Sequence, residues 1–67
     1  MGEFLLNGKS HPTAPGMTVS DLLRGLKLDP RWVVAEVNGQ ATGRELFDRT
    51  RISPGDRVEL VRPMAGG

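Results

Sequence analysis

The chain of 67 residues has no cysteine and no tyrosine, and it carries one histidine, one tryptophan and two phenylalanines. Without cysteine, neither a disulfide framework nor a thiolate metal site can support the fold. A single domain of this size must therefore rest on one small core of Leu, Val, Ile and Phe, with a stability of about 3–5 kcal/mol. Long apolar runs are also missing, and nothing approaches the ~20 residues of a membrane span. The start, Met1-Gly2-Glu3-Phe4, lacks the basic and apolar stretches of a signal peptide, and Leu6 stands where a myristoylation signal needs Ser or Thr. An excess of one charge is absent too. The net charge is +1 with acids and bases interspersed, which argues against duplex DNA or an anionic membrane as partner. The simplest location for such a chain is the cytoplasm. There is no internal repeat and no low-complexity block.

What is present can be read in order. Phe4-Leu5-Leu6 is a short apolar run ended by Asn7-Gly8, the preferred two-residue hairpin turn. Lys9 to Ala14 forms the returning strand, and Pro12 restricts it to an edge position or a bulge because proline cannot donate to the ladder. Thr18 and Asp21 can cap a helix whose apolar face is Val19, Leu22, Leu23 and Leu26. Asp29-Pro30 ends that helix. Trp32 opens a third strand as a core or rim anchor, Val33 to Val37 continues it, and a second Asn-Gly, Asn38-Gly39, turns it back. Gln40 to Thr42 is a short continuation, and Arg44 to Phe47 a helical turn or a short bridging segment. Ser53-Pro54-Gly55-Asp56 is a turn signature before the alternating strand Arg57 to Val61.

A hairpin, a helix and further strands are most economically buried as one helix across a small mixed sheet. The first and last strands then pair in parallel through its middle, so the predicted fold class is α+β. The element order resembles the β-grasp layout of ubiquitin.

Side chains alternate along strands, so each strand offers one face to the helix and one to the outside. Phe4, Leu6, Val33, Ala35, Val37, Val58 and Leu60 face the helix. Leu5, Val34 and Val61 then face outward, rimmed by Glu36, Arg57 and Glu59. That outward set is a candidate partner-docking patch, apolar with a charged rim.

The sequence offers no catalytic constellation and no metal site. His11, beside Pro12 on the edge strand, reads as a solvent-exposed histidine. Asp21, Asp29, Asp48 and Asp56 read as caps and turns, without the spacing of a ligand set. The chemistry-bearing feature is instead the end, Gly66-Gly67. Neither residue has a Cβ, so the backbone is narrow and conformationally free. Such a tail can thread a tight channel and present its carboxylate to another protein's active site.

The helix start Thr18-Val19-x-Asp21-Leu22-Leu23, the strand from Val33 to Gly39 and the turn Ser53-Pro54-Gly55-Asp56-Arg57-Val58-Glu59, taken with terminal Gly66-Gly67, resemble the ThiS family. These are sulfur carriers of thiamin thiazole synthesis with a ubiquitin-like fold. The resemblance covers essentially the whole chain. It implies a β-grasp domain over residues 1–63 and a flexible tail over 64–67, with Met64, Ala65 and Gly66 threading the partner and Gly67 carrying the modification. It implies a ThiF-like or MoeB-like enzyme that adenylates Gly67 using its own ATP and magnesium. A desulfurase or rhodanese-type donor then supplies sulfur, and a ThiG-like thiazole synthase takes it from the thiocarboxylate. The carrier itself would bind no cofactor and would be no enzyme.

Two alternatives remain at the level of sequence. A MoaD-like or other ubiquitin-like carrier could serve molybdopterin synthesis, tRNA thiolation or protein tagging. A TGS-type β-grasp module could use Arg44, Arg49 and Arg51 on RNA, although acids interrupt that strip and stacking aromatics are scarce.

Overall fold

A computed structural model describes residues 2–62 of the chain. Five strands form one mixed sheet in the order β2-β1-β5-β3-β4. They are β1 Glu3–Leu6, β2 Lys9–Pro12, β3 Val34–Val37, β4 Gln40–Thr42 and β5 Arg57–Val61. One α-helix, α1 Val19–Gly25, and two 3₁₀ turns, Pro30–Trp32 and Arg44–Leu46, complete the described elements. β1 and β5 pair in parallel at the centre, with Leu5 opposite Arg57 and Leu6 opposite Val58. The other pairings are antiparallel. This is the β-grasp arrangement expected from the element order.

Both Asn-Gly turns form as expected, with the asparagines at φ 51° and 53° and the glycines at 84° and 83°. Each asparagine also does something the sequence did not disclose. The Asn7 side chain accepts from the Leu60 N–H at 2.8 Å and donates to the Leu60 carbonyl at 3.3 Å. The Asn38 side chain accepts from the Arg57 N–H at 2.9 Å and donates to Asp56 at 3.1 Å. The two turn residues thereby fasten opposite ends of β5 to the strands on either side of it.

The helix begins with a complete capping box. Thr18 Oγ1 accepts from the Asp21 N–H at 3.1 Å, and Asp21 Oδ2 accepts from the Thr18 N–H at 3.0 Å. It ends earlier than Asp29-Pro30 implied. The Leu28 N–H reaches the Leu23 carbonyl at 2.9 Å and the Lys27 N–H reaches Arg24 at 3.1 Å, which is the bond pattern of a Schellman stop. Lys27 sits at φ 59°, a left-handed conformation usually given to glycine. This local closure ends α1 at Gly25 and leaves Leu26 half out of the core, contrary to its place on the expected apolar face.

The core between α1 and the sheet consists of Phe4, Val19, Leu22, Leu23, Val33, Ala35, Phe47, Ile52 and Val58. Leu6, Val37 and Leu60 pack against it, so the strands face as their alternation indicated. Ile52, isolated in the sequence, is buried because the Ile52 N–H bonds the Met17 carbonyl at 2.9 Å and ties its segment to the helix entry. No helix among the described residues is long and apolar enough to cross a membrane.

Candidate functional site

The sheet has one face under the helix and one face open, and the open face holds all six residues of the candidate docking patch. β1 contributes Leu5, β3 contributes Val34 and Glu36, and β5 contributes Arg57, Glu59 and Val61. Leu5, Val34, Arg57, Glu59 and Val61 are exposed and Glu36 is half-buried.

The register shows that these side chains do not form a single apolar patch. Val34 lies directly opposite Val61, and Glu36 directly opposite Glu59. Leu5 lies beside Arg57, at the other end of β5. Four residues along a strand and two strand spacings across put Leu5 roughly 16 Å from Val34. The open face is therefore graded. The Val34–Val61 pair occupies the end from which the chain leaves β5. Two facing carboxylates form a band behind it. Arg57 and Leu5 stand at the far end.

A shallow hollow of about 100 Å³ lies in the charged region, lined by Glu36, Gly39, Arg57 and Glu59. Like charges set directly across a strand pair repel. Among the described residues neither glutamate nor Arg57 joins an intrachain salt bridge.

Trp32 corrects the sequence reading. It is neither in the third strand nor in the core. It closes the 3₁₀ turn Pro30–Trp32 and is 57% exposed. Its parity with outward-facing Val34, two residues on, was the available signal. The turn that carries it is firmly held. Asp29 caps it by accepting from the Arg31 N–H at 2.9 Å, and Arg31 Nη2 donates to Asp29 Oδ2 at 2.8 Å. The Arg31 side-chain bond, then its backbone bond, holds the Asp29 carboxyl down at about 2.

His11 differs from expectation as well. It is on the edge strand, but half-buried, with its ring 5.1 Å from that of Phe4 and tilted by 49°. Its Nδ1 lies 3.0 Å from the Pro12 carbonyl oxygen.

The aspartates act as caps and turn residues, as expected. Asp21 closes the capping box, and the Thr18 backbone bond, followed by the Thr18 hydroxyl, lowers its pKa. Asp48 accepts from the Ser20 hydroxyl. Asp56 accepts from the Ser53 N–H at 2.8 Å. Among the described residues no cluster of acids or histidine could hold a metal ion. Met64, Ala65, Gly66 and Gly67 lie outside the described residues.

Residues 4–67 match the ThiS family. The chain belongs to that family. Its fold agrees with the crystal structure of a thiamine biosynthesis protein, ThiS, from Geobacter metallireducens, at a TM-score of 0.81 and 35% identity over 97% of this chain and 99% of that one. An NMR structure of a thiamine biosynthesis protein from the same organism gives a TM-score of 0.80 and 37% identity, over 97% and 87% of the two chains. A thiazole synthase of Paramagnetospirillum magneticum is 29% identical over 65 residues, which are 97% of this ThiS-family chain. The matched stretch is 20% of that synthase, so the chain spans about a fifth of its length.

Proposed function

We propose that this chain is a sulfur carrier for the thiazole branch of thiamin biosynthesis, acting through Gly67 as a co-substrate and not as an enzyme. Residues 1–63 serve as the scaffold and residues 64–67 as the working tail. The observation that carries this reading is the family match, which runs through Gly66-Gly67, on a fold whose central strand β5 leads into those residues.

A carboxylate is a poor acceptor for a sulfur nucleophile because its oxygen is a poor leaving group. A ThiF-like or MoeB-like partner, using ATP and magnesium, overcomes this. The Gly67 carboxylate attacks the α-phosphorus, pyrophosphate leaves, and the resulting acyl-adenylate has AMP as its leaving group. The terminal sulfur of a donor persulfide, drawn from cysteine through a desulfurase or rhodanese-type enzyme, displaces AMP to give an acyl disulfide, and a thiol reductant cleaves its S–S bond, leaving the thiocarboxylate and a new disulfide on the donor side. A ThiG-like thiazole synthase is the acceptor. The matching stretch inside a thiazole synthase supports that pairing, since tethering a carrier to its acceptor raises their effective concentration.

Glycine at positions 66 and 67 keeps the tail slender enough for an enclosed activating site. Gly67→Val and Gly66→Val are expected to leave thermal unfolding unchanged and to abolish ATP–pyrophosphate exchange with the ThiF-like enzyme. Wild-type exchange rates from both variants would reject the reading.

The open sheet face is the docking surface in this scheme. Val61→Glu is expected to weaken binding to the activating enzyme by about tenfold while changing stability by less than about 1 kcal/mol. Calorimetric titration beside a urea melt separates the two effects. Unchanged affinity would remove Val61 from the docking surface.

A further inference from the structure

We infer that Asn38-Gly39 is a site of spontaneous deamidation, and that the carboxylate formed there unfastens the start of β5. Both asparagines of the chain, Asn7 and Asn38, are followed by glycine. Glycine has no side chain to hinder its backbone nitrogen, which is the nucleophile of this reaction. Both asparagines and both glycines are exposed, so water reaches them. The chemistry is open to both turns, and what each product meets separates them.

In the reaction the Gly39 nitrogen attacks Cγ of the Asn38 side chain. The bond from Cγ to Nδ2 breaks, ammonia departs with the proton that the Gly39 nitrogen loses, and a succinimide ring remains. Water then opens the ring at one carbonyl or the other. One opening leaves aspartate at position 38. The other leaves an isoaspartyl link, in which the main chain runs through the side-chain methylene. Ring closure is held back while the turn is shut, because the Asn38 amide is engaged at both ends, to Asp56 and to the Arg57 N–H. Local opening releases it, and β4 is a three-residue edge strand paired only with β3.

The product at position 38 fits its surroundings badly. Asn38 Nδ2 donates to Asp56 Oδ1 at 3.1 Å. Deamidation replaces that donor with a charged oxygen, so two carboxylates face one another at hydrogen-bond distance. Asp56 is half-buried, and its other oxygen accepts from the Ser53 N–H at 2.8 Å, so turning away costs a second bond. Gly39 also borders the hollow lined by Glu36, Glu59 and Arg57. The new charge thus enters a region that already sets three acids against Arg57. The isoaspartyl product adds a lengthened main chain to a turn whose φ angles of 53° and 83° suit two ordinary residues.

Asn7 meets no such charge. Its Nδ2 donates to the neutral Leu60 carbonyl at 3.3 Å, and an aspartate there keeps the stronger bond from the Leu60 N–H. Deamidation at position 38 is therefore the costly event, a one-way chemical mark of time spent open, after which β5 is tied less firmly.

The test ages the full folded chain in warm, mildly alkaline buffer. Peptide mapping with an isoaspartyl methyltransferase then reads positions 7 and 38. Acid is expected at position 38, and molecules carrying it, separated by their added charge, are expected to melt below the unmodified chain. Asn38→Asp supplies the aspartyl product directly. It is expected to lower the folding equilibrium constant in a urea melt at least about tenfold, and Asn7→Asp less than about threefold. Asp56→Asn is expected to relieve most of the Asn38→Asp loss, measured against Asp56→Asn alone, and to leave the Asn7→Asp loss unchanged. If Asn38→Asp does not fold, adding Asp56→Asn is expected to restore folding. No acid at position 38 after prolonged ageing, equal losses in Asn38→Asp and Asn7→Asp, or a loss that Asp56→Asn does not relieve each overturns the inference.

Discussion

Two side chains that the sequence presents as turn residues act at long range. Asn7 and Asn38 supply the left-handed conformation their hairpins need, but they also bond the backbone of β5. Asn7→Gly keeps the turn geometry and removes only the side-chain bonds, so a loss of about 1–2 kcal/mol is expected in a urea melt. An unchanged midpoint would show that water replaces those bonds without penalty.

Asp29 yields a pH prediction at the same scale. Its carboxyl is held at about 2 in the fold against an ordinary 3.8, chiefly by the Arg31 side chain. A depressed folded value means that the ionised form favours folding. The contribution is complete above about pH 4 and disappears as the pH falls through about 2. Carbon-detected NMR should show Asp29 titrating near 2 in the native chain and at a higher pH in Arg31→Ala. Identical titration in both would remove Arg31 as the cause.

At the scale of elements, α1 is only seven residues long and depends on its ends. Thr18 caps it, and the Val19 N–H also bonds the Thr50 carbonyl at 2.9 Å, so helix entry and the 50–52 segment are joined. Removing a cap of this kind costs about 1 kcal/mol, which sets the expectation for Thr18→Ala in denaturant unfolding. The C-terminal end offers the opposite sign. Lys27 at φ 59° carries about 1–2 kcal/mol of left-handed strain. Glycine would relieve that strain and add about 0.5–1 kcal/mol of unfolded-state entropy, so Lys27→Gly should be neutral to stabilising. A clear loss of stability would mean that the lysine side chain makes up for its backbone.

These elements show how far the sequence could be read. Turn chemistry and alternation placed β1, β3, β5 and both hairpins, because Asn-Gly pairs and period-two patterns are local signals. The end of α1 was misplaced because the Schellman stop uses a lysine, which carries no such signal. Trp32 reads in the sequence as a core or rim anchor opening the third strand, and the proline turn that carries it leaves it exposed before that strand begins. The six open-face residues were identified by parity, but their division into a tail-end pair, an acidic band and a distant Leu5 depends on register. Register between strands as far apart in sequence as β3 and β5, or β1 and β5, cannot be read from either strand alone.

At the scale of the whole molecule, the core is small and unsupported by any covalent link. Total stability of about 3–5 kcal/mol is of the same size as the cost of emptying one large core site. Phe47→Ala, at a residue only 2% exposed, should therefore leave the chain largely unfolded at 25 °C by circular dichroism, whereas Val61→Glu should not. That contrast expresses the division of labour proposed for the molecule. One face of the sheet holds the scaffold together, the other meets partners, and the central strand leads out to the group that reacts.

The most direct test of that proposal is the intact mass of the native chain before and after incubation with its activating enzyme, Mg-ATP and a sulfur donor. The carrier reading predicts a terminus at Gly67 and a mass gain equal to sulfur replacing one oxygen, with the product open to alkylation. A chain that retains its original mass under conditions in which the enzyme hydrolyses ATP, or that acquires a change alkylation cannot reach, would contradict it.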